Sequence, residues 1–387
     1  MSFQALAALG LMLSSSGTHP TVDPTLMVFN ESDWTTCAAR VQKGADDGAK
    51  RVNFILNLYS RLAPGTTNVA EFCYRNLDGN CQTVTPDSIT AYSTNLQACF
   101  QYAVRAGLGI SVTPHIDDAG EAGVWRNDIV FDPLILGNGI SYSDAMIAPI
   151  VDAIDHGIGA EVPVDFALEG EMGASIGAHP YSYLAILNHV KKRLKAHTEL
   201  KVGLSLNFNK IFGTNPLSGP QNSAALRELF SAVDFVGVSN YCPVDFPVVA
   251  ANFARGFQSV LGELKAHLVE LPATVEFQIS EMGLGGGTKA NDSHTPAGTP
   301  DGAAAAPYSG IHGEFLASVD PWSAAPMQQF RLDYYRALTE FLADQNLPRR
   351  ITRVYLWNSD SWDVNGLYSP AYRSDAIVEF LRAYNGG

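Results

Sequence analysis

Short apolar runs alternate with longer amphipathic stretches along nearly the whole chain. The runs Leu26–Phe29, Val52–Leu58, Gly109–Thr113, Val164–Leu168, Val202–Leu206, Phe235–Val238, Thr274–Ile279 and Ile351–Trp357 are rich in Val, Ile, Leu or Phe. Strands covered on both faces have that character. Between them the spacing predicts helices over Trp34–Gly48, Ser88–Ala106, Ser143–Ile158, Tyr181–His197, Ala224–Ala232, Phe253–Leu271, Gln328–Gln345 and Ala371–Tyr384. Gly107 and Gly157 stand where a helix C-terminus favours glycine. Eight strands alternating with eight helices predict an α/β fold, a single (β/α)8 TIM barrel. A doubly wound open sheet is the rival, but no glycine-rich phosphate fingerprint follows the first strand. Gly283-Leu-Gly-Gly-Gly287 follows the seventh, and reads as a loop that lets backbone approach a ligand.

Two connections are long. The loop after strand two runs from Tyr59 to Asp87. That after strand seven runs from about Gly283 to Pro326 and carries Tyr308, His312 and Trp322. Loops of such length are functional or disordered, so this second one is expected to be a cleft wall or lid, or else a floppy insertion. No linker separates a second domain. Residues 1–24 are expected to form a signal peptide or N-terminal extension, and 25–387 the barrel. The apolar stretch Phe3–Leu13 followed by Ser14–Gly17 suits a secretory signal, though no Lys or Arg precedes Arg40. An amphipathic helix closing the bottom of the fold is the alternative.

A net charge of −14 argues against nucleic acid or an anionic membrane as partner. A neutral substrate fits better, and an aromatic content of 10% offers surfaces to stack it on. Cys73 and Cys81 share one polar loop at a spacing a disulfide can close, and Cys37 and Cys99 lie on successive predicted helices, where a second bridge is open. Cys242 is the odd one. Without C-x-x-C pairs, a secreted protein with one or two disulfides is favoured over five reduced thiols in the cytosol.

Polar residues gather at the predicted strand ends. Asn57 and Tyr59 follow strand two, and His115, Asp117 and Asp118 strand three. Glu169 and Glu171 follow strand four, Asn207 and Asn209 strand five, Tyr241 strand six, Glu281 strand seven, and Trp357, Asn358 and Asp360 strand eight. In such barrels that rim carries the active site. Glu171 and Glu281 each close an apolar run and are followed within two residues by glycine. Two facing carboxyls are what glycosidic bond cleavage requires, one as proton donor and one as nucleophile or base. Trp125 and Trp357 are candidates to stack on sugar faces.

Several of these segments resemble the strand regions of glycoside hydrolase family 113, the β-mannanases. They are Ser111-Val-Thr-Pro-His-Ile-Asp117, Val124-Trp-Arg-Asn-Asp128, Phe166-Ala-Leu-Glu-Gly-Glu-Met172, Phe235-Val-Gly-Val-Ser-Asn-Tyr-Cys-Pro243, Ile279-Ser-Glu-Met-Gly283 and Val354-Tyr-Leu-Trp-Asn358. The match is piecewise but ordered, from Leu26 to Tyr384. It implies a retaining clan A hydrolase acting on β-1,4-mannan or manno-oligosaccharides, with Glu171 as acid/base and Glu281 as nucleophile. It further implies Tyr241 as hydrogen-bond donor to the nucleophile and Trp357 as the floor under the cleaved sugar. His115, Trp125, Arg126 and Asn207 would line the glycone side, with Asn57 also among the substrate-binding candidates. Gly170 departs from the pattern, since the clan has Asn there and the family a small polar residue. Glu169 is an extra acid that strand alternation points the same way as Glu171. It is an alternative donor, or a neighbour that raises the donor's pKa.

Three rival readings remain. A metal-dependent barrel hydrolase would use His115, Asp117, Asp118, Glu169 and Glu171, but such sites gather more histidines. A non-catalytic carbohydrate-binding barrel is the second. An exo-acting β-glycosidase of other specificity is the third, its pocket closed by the long loops. No cofactor is implied, and the sequence does not indicate an oligomeric state.

Overall fold

The computed structural model describes residues 19–120, 123–214, 220–288, 295–312, 319–344 and 347–386. The apolar stretch near the N-terminus lies outside them, as do Gln345 and parts of the long loop after strand seven. Ten strands run in chain order: β1 (Val22–Val28), β2 (Arg51–Leu62), β3 (Val69–Arg75), β4 (Cys81–Thr83), β5 (Gly109–Asp118), β6 (Val164–Gly170), β7 (Leu200–Asn207), β8 (Phe235–Ser239), β9 (Glu276–Met282) and β10 (Ile351–Leu356). The helices are α1 (Ser32–Asp46), α2 (Pro86–Arg105), α3 (Ala148–Gly157), α4 (Gly173–Ala178), α5 (Pro180–Arg193), α6 (Pro220–Ala232), α7 (Ala254–Ala266), α8 (Pro300–Ala304), α9 (Ala325–Asp344) and α10 (Asp375–Gly386).

Eight of the strands pair in parallel in the order β1-β10-β9-β8-β7-β6-β5-β2, and β2 returns to β1 to close the barrel. The predicted (β/α)8 barrel is therefore the observed fold. Its first strand begins at Val22, so residues 22–24 belong to the barrel and not to an extension. The outer face of the strands and the inner faces of the helices form one continuous apolar cluster. Small polar side chains fill part of the barrel's interior: Thr113 donates to Asn53 at 3.1 Å, and Ser205 to Ser280 at 2.6 Å. At the bottom, buried Asp165 meets Arg51 at 3.0 Å and Arg353 at 2.8 Å.

The strand ends exceed the predicted bounds where function gathers. β2 runs on to Leu62 because β3 pairs antiparallel with its upper part, Tyr59 against Cys73. The region predicted as a polar loop after strand two thus contains the β3–β4 ribbon, closed by the Cys73–Cys81 disulfide. Cys37 and Cys99 form a second disulfide between α1 and α2. β5 continues through His115 and Asp117 to Asp118, pairing residue by residue with β2 as far as Ser60. Its pairing with β6 covers only Ile110–Val112 against Val164–Phe166.

The glycine run after β9 has a different use from the predicted one. Residues 283–287 are all buried. A Cβ at Gly285 would fall 2.2 Å from the Ser309 carbonyl oxygen and 2.5 Å from Trp362 Cε2. The run leaves room for the Trp362 indole and a returning loop segment, which Gly286 meets at Gly310.

Candidate active site

At the C-terminal mouth of the barrel lies a cavity of about 420 Å³ lined by residues from the ends of β6 to β10 and the loops after β5 and β9. Of the residues given a catalytic or substrate-binding role from the sequence, Trp125, Arg126, Glu171, Asn207, Tyr241, Glu281 and Trp357 line it together. Phe208, Asn209, Tyr308, His312 and Trp362 complete the wall. Tyr308 and His312 come from the long loop after β9, which in its described part is a cleft wall. Trp125 and Tyr308 are 36% and 40% exposed, a large open area for aromatic rings at a cavity rim. Trp322 instead packs behind the wall, donating its indole N–H to the Ser361 carbonyl at 2.8 Å.

Glu171 follows the end of β6 with φ of +56°, a left-handed conformation costing a non-glycine residue on the order of 1–3 kcal/mol. The register of β6 against β7 shifts between Ala167 and Gly170, so the chain is already bulged where this turn begins. The Glu171 N–H donates to the Ser205 carbonyl at 2.8 Å, and its Oε1 accepts from Asn207 Nδ2 at 2.6 Å. Burial raises its pKa, with the charge of Glu281 adding to the effect; Arg126, Asn207 and His115 oppose it.

Glu281 sits within β9, its Oε2 3.5 Å from the Tyr241 hydroxyl. Its Oε1 lies 2.9 Å from His115 Nε2, without the alignment of a hydrogen bond. Burial lifts this carboxyl to about 7 against the pull of Arg126 and the hydrogen bonds from Tyr241 and Ser239. Burial, and then the two glutamates, raise the Tyr241 pKa well above its usual value, so its hydroxyl keeps the proton it donates. Burial therefore favours the protonated form of both carboxyls.

Behind Glu281, His115 is fully buried, stacked at 5.9 Å on Trp357. Burial first, and the Arg126 charge second, lower the imidazole to about 3, so it is neutral. Arg126 Nη1 donates to His115 Nδ1. Arginine only donates, which leaves the imidazole proton on Nε2, facing Glu281. Arg126 also pairs with Asp117 at 3.1 Å, and Asp117 accepts from Asn57 Nδ2.

Three predicted site residues lie off the cavity wall. His115 is beneath it. Asn57 borders a separate hollow under the β3–β4 ribbon, with Trp34, Tyr74 and Tyr92, and is linked to the cleft through Asp117 and Arg126. Glu169 is 0% exposed, and both its oxygens accept backbone N–H groups, from Ser205 and Met172, each at 2.8 Å. Strand alternation would have placed it beside Glu171; the bulge and the left-handed turn separate the two. Burial raises its pKa to about 8, opposed by those two backbone bonds. Phe208, between Asn207 and Asn209, was missed because nothing in the sequence marks it from a core residue.

The donors of the metal reading are dispersed: His115 faces Arg126 and Glu281, Asp117 faces Arg126 and Asn57, and Glu169 faces backbone. Among the described residues no three His, Cys, Asp or Glu side chains are grouped to hold a metal ion. Among them, too, no helix is long and apolar enough to cross a membrane.

No family model matches the sequence. No curated protein does either. Solved structures similar to it include a glycoside hydrolase family 113 β-mannanase from Alicyclobacillus acidocaldarius in complex with ManMIm. It is 16% identical over 94% of this chain and 97% of that one, with a TM-score of 0.53. Two further structures are described as family 113 β-1,4-mannanases. One is 15% identical, covering 95% of this chain and 98% of that one at a TM-score of 0.52. The other is 14% identical, covering 96% and 99% at 0.53. The chain thus shares their barrel fold over almost its full length.

Proposed function

We propose that this protein is a retaining glycoside hydrolase that cleaves β-linked glycans, with β-1,4-mannan or manno-oligosaccharides as the first candidates. The observation that carries the reading is the pair of buried glutamates, Glu171 held by Asn207 and Glu281 beside Tyr241, lining one aromatic-walled cavity at the barrel mouth. Mannan stands first because the sequence segments resemble family 113 and the similar structures are described as mannanases.

In the first step the Glu171 carboxyl gives its proton to the glycosidic oxygen as the bond from that oxygen to C1 breaks. A Glu281 oxygen bonds to C1, and the alcohol leaves. In the second step water loses a proton to the Glu171 carboxylate, its oxygen bonds to C1, and the ester to Glu281 breaks. Trp357 is the platform under the sugar. Tyr241, fixed in its protonated form, steadies the Glu281 anion, and Arg126 supplies positive charge to both carboxyls. The two disulfides suit an oxidising compartment, and we take the protein to be secreted.

Hydrolysis of β-mannan and a panel of aryl β-glycosides by wild type, Glu171→Ala and Glu281→Ala tests this. Each variant is expected to lose about 10²–10⁴-fold or more on unactivated substrates. Azide should restore turnover, giving an α-glycosyl azide with Glu281→Ala and a β-glycosyl azide with Glu171→Ala. Variants as active as wild type, or a wild type inert on every sugar, would overturn the reading.

A further inference from the structure

Glu169 takes no part in the proposed reaction, yet both of its oxygens end on the backbone around Glu171. Oε2 accepts the N–H of Met172, the residue immediately after Glu171. Oε1 accepts the N–H of Ser205, whose carbonyl in turn accepts the N–H of Glu171. One buried carboxyl therefore ties both sides of the left-handed turn to β7 at the point where the strand register slips. Left-handed φ at a glutamate persists only where surrounding contacts over-determine it. The residue between completes the unit. A Cβ at Gly170 would lie 2.4 Å from His115 Cδ2 and 2.8 Å from Thr113 Cγ2, so glycine alone lets the imidazole lie against this backbone.

We propose that Glu169 is a positioning residue whose carboxyl clamps the strained turn after β6 and so aims Glu171 at the cleft. The proposal rests on Glu171 being the proton donor. It gives the Glu-Gly-Glu sequence a division of labour: backbone clamp, room for His115, and donor. Glutamine at 169 has one acceptor oxygen for two backbone donors, and its amide N–H₂ would face the other N–H. Aspartate keeps a carboxyl but is one methylene too short to span both amides.

The test uses Glu169→Gln and Glu169→Asp in the full chain, with two readouts. Crystal structures of the variants report φ at residue 171 with no assumption about the reaction. The clamp predicts that Glu171 leaves the left-handed region and its bond to Asn207. Steady-state kinetics on phenyl and 2,4-dinitrophenyl β-glycosides then separate protonation from other steps, because dinitrophenolate leaves without a proton. A displaced donor lowers kcat on the phenyl glycoside by about 10²-fold with KM little changed. On the dinitrophenyl glycoside the rate of bond cleavage stays within about threefold of wild type. Glu171 unmoved in both variants, or equal losses of kcat/KM on both substrates, would overturn the proposal. So would failure of both variants to fold, which would make Glu169 a support of the whole barrel. Glu171→Ala run in parallel isolates the underlying reading: if it keeps full phenyl glycoside activity, Glu171 is not the donor, whatever the variants at 169 do to the turn.

Discussion

The positive charge of Arg126 reaches Glu171, Glu281, Asp117 and His115 together. It lowers both glutamates against the burial that raises them. Removing it in Arg126→Ala should let both carboxyls rise further, so the acid limb of kcat/KM, which reports ionisation of Glu281, moves to higher pH. A shift of about one unit or more is expected from a pH–rate profile of wild type and variant. An acid limb that stays fixed or moves down would contradict the electrostatic account. Much of this site was legible in the sequence because strand ends are where barrel chemistry sits, and seven of the ten residues given a catalytic or substrate-binding role line the cavity. The other three, His115, Asn57 and Glu169, stand behind the cavity wall or beside it. Period-two alternation carries no sign of a bulge, and a left-handed glutamate has no signature in sequence.

At the scale of elements, the centres of all eight barrel strands were readable from apolar runs, and the upper ends of β2 and β5 were not. β2 and β5 extend as polar-containing strands because they pair with each other and, for β2, with a ribbon that looks like loop. That ribbon's short strands alternate poorly between buried and exposed positions, and their stability leans on neighbours and on the Cys73–Cys81 bond. The two disulfides should differ in worth. Cys37 and Cys99 are 62 residues apart in sequence and Cys73 and Cys81 only 8. Loop-closure entropy then assigns about 4 kcal/mol to the first and about 2.5 kcal/mol to the second. Urea unfolding of Cys37→Ser/Cys99→Ser and Cys73→Ser/Cys81→Ser is expected to rank them in that order, and the reverse order would contradict it. In sequence the glycine run after β9 reads as a ligand approach, because sequence shows the missing side chains but not the Trp362 ring that occupies their space.

Over the whole molecule, buried acids and net charge act in one direction. Glu281 and Glu169 stand at about 7 and about 8, raised by burial from an ordinary 4.5. The folded chain therefore holds protons that the unfolded chain has released. That preference stabilises the fold fully below about 4.5 and is lost as pH climbs through 7 and 8. The net charge of −14 adds self-repulsion in the same range. Calorimetry should give a lower Tm at pH 8.5 than at pH 5.5, and an equal or higher one would show that these acids are not held protonated. The central claim, that one of a pair of carboxyls bonds covalently to the sugar, is tested most directly by trapping. A 2-deoxy-2-fluoro-β-glycosyl fluoride of a sugar that the enzyme turns over is incubated with it, and the labelled peptide is identified by mass spectrometry. A single glycosyl adduct on Glu281 is expected. An adduct on Glu171, Glu169 or any other residue, or steady turnover of an unactivated substrate with inversion at C1, would contradict it.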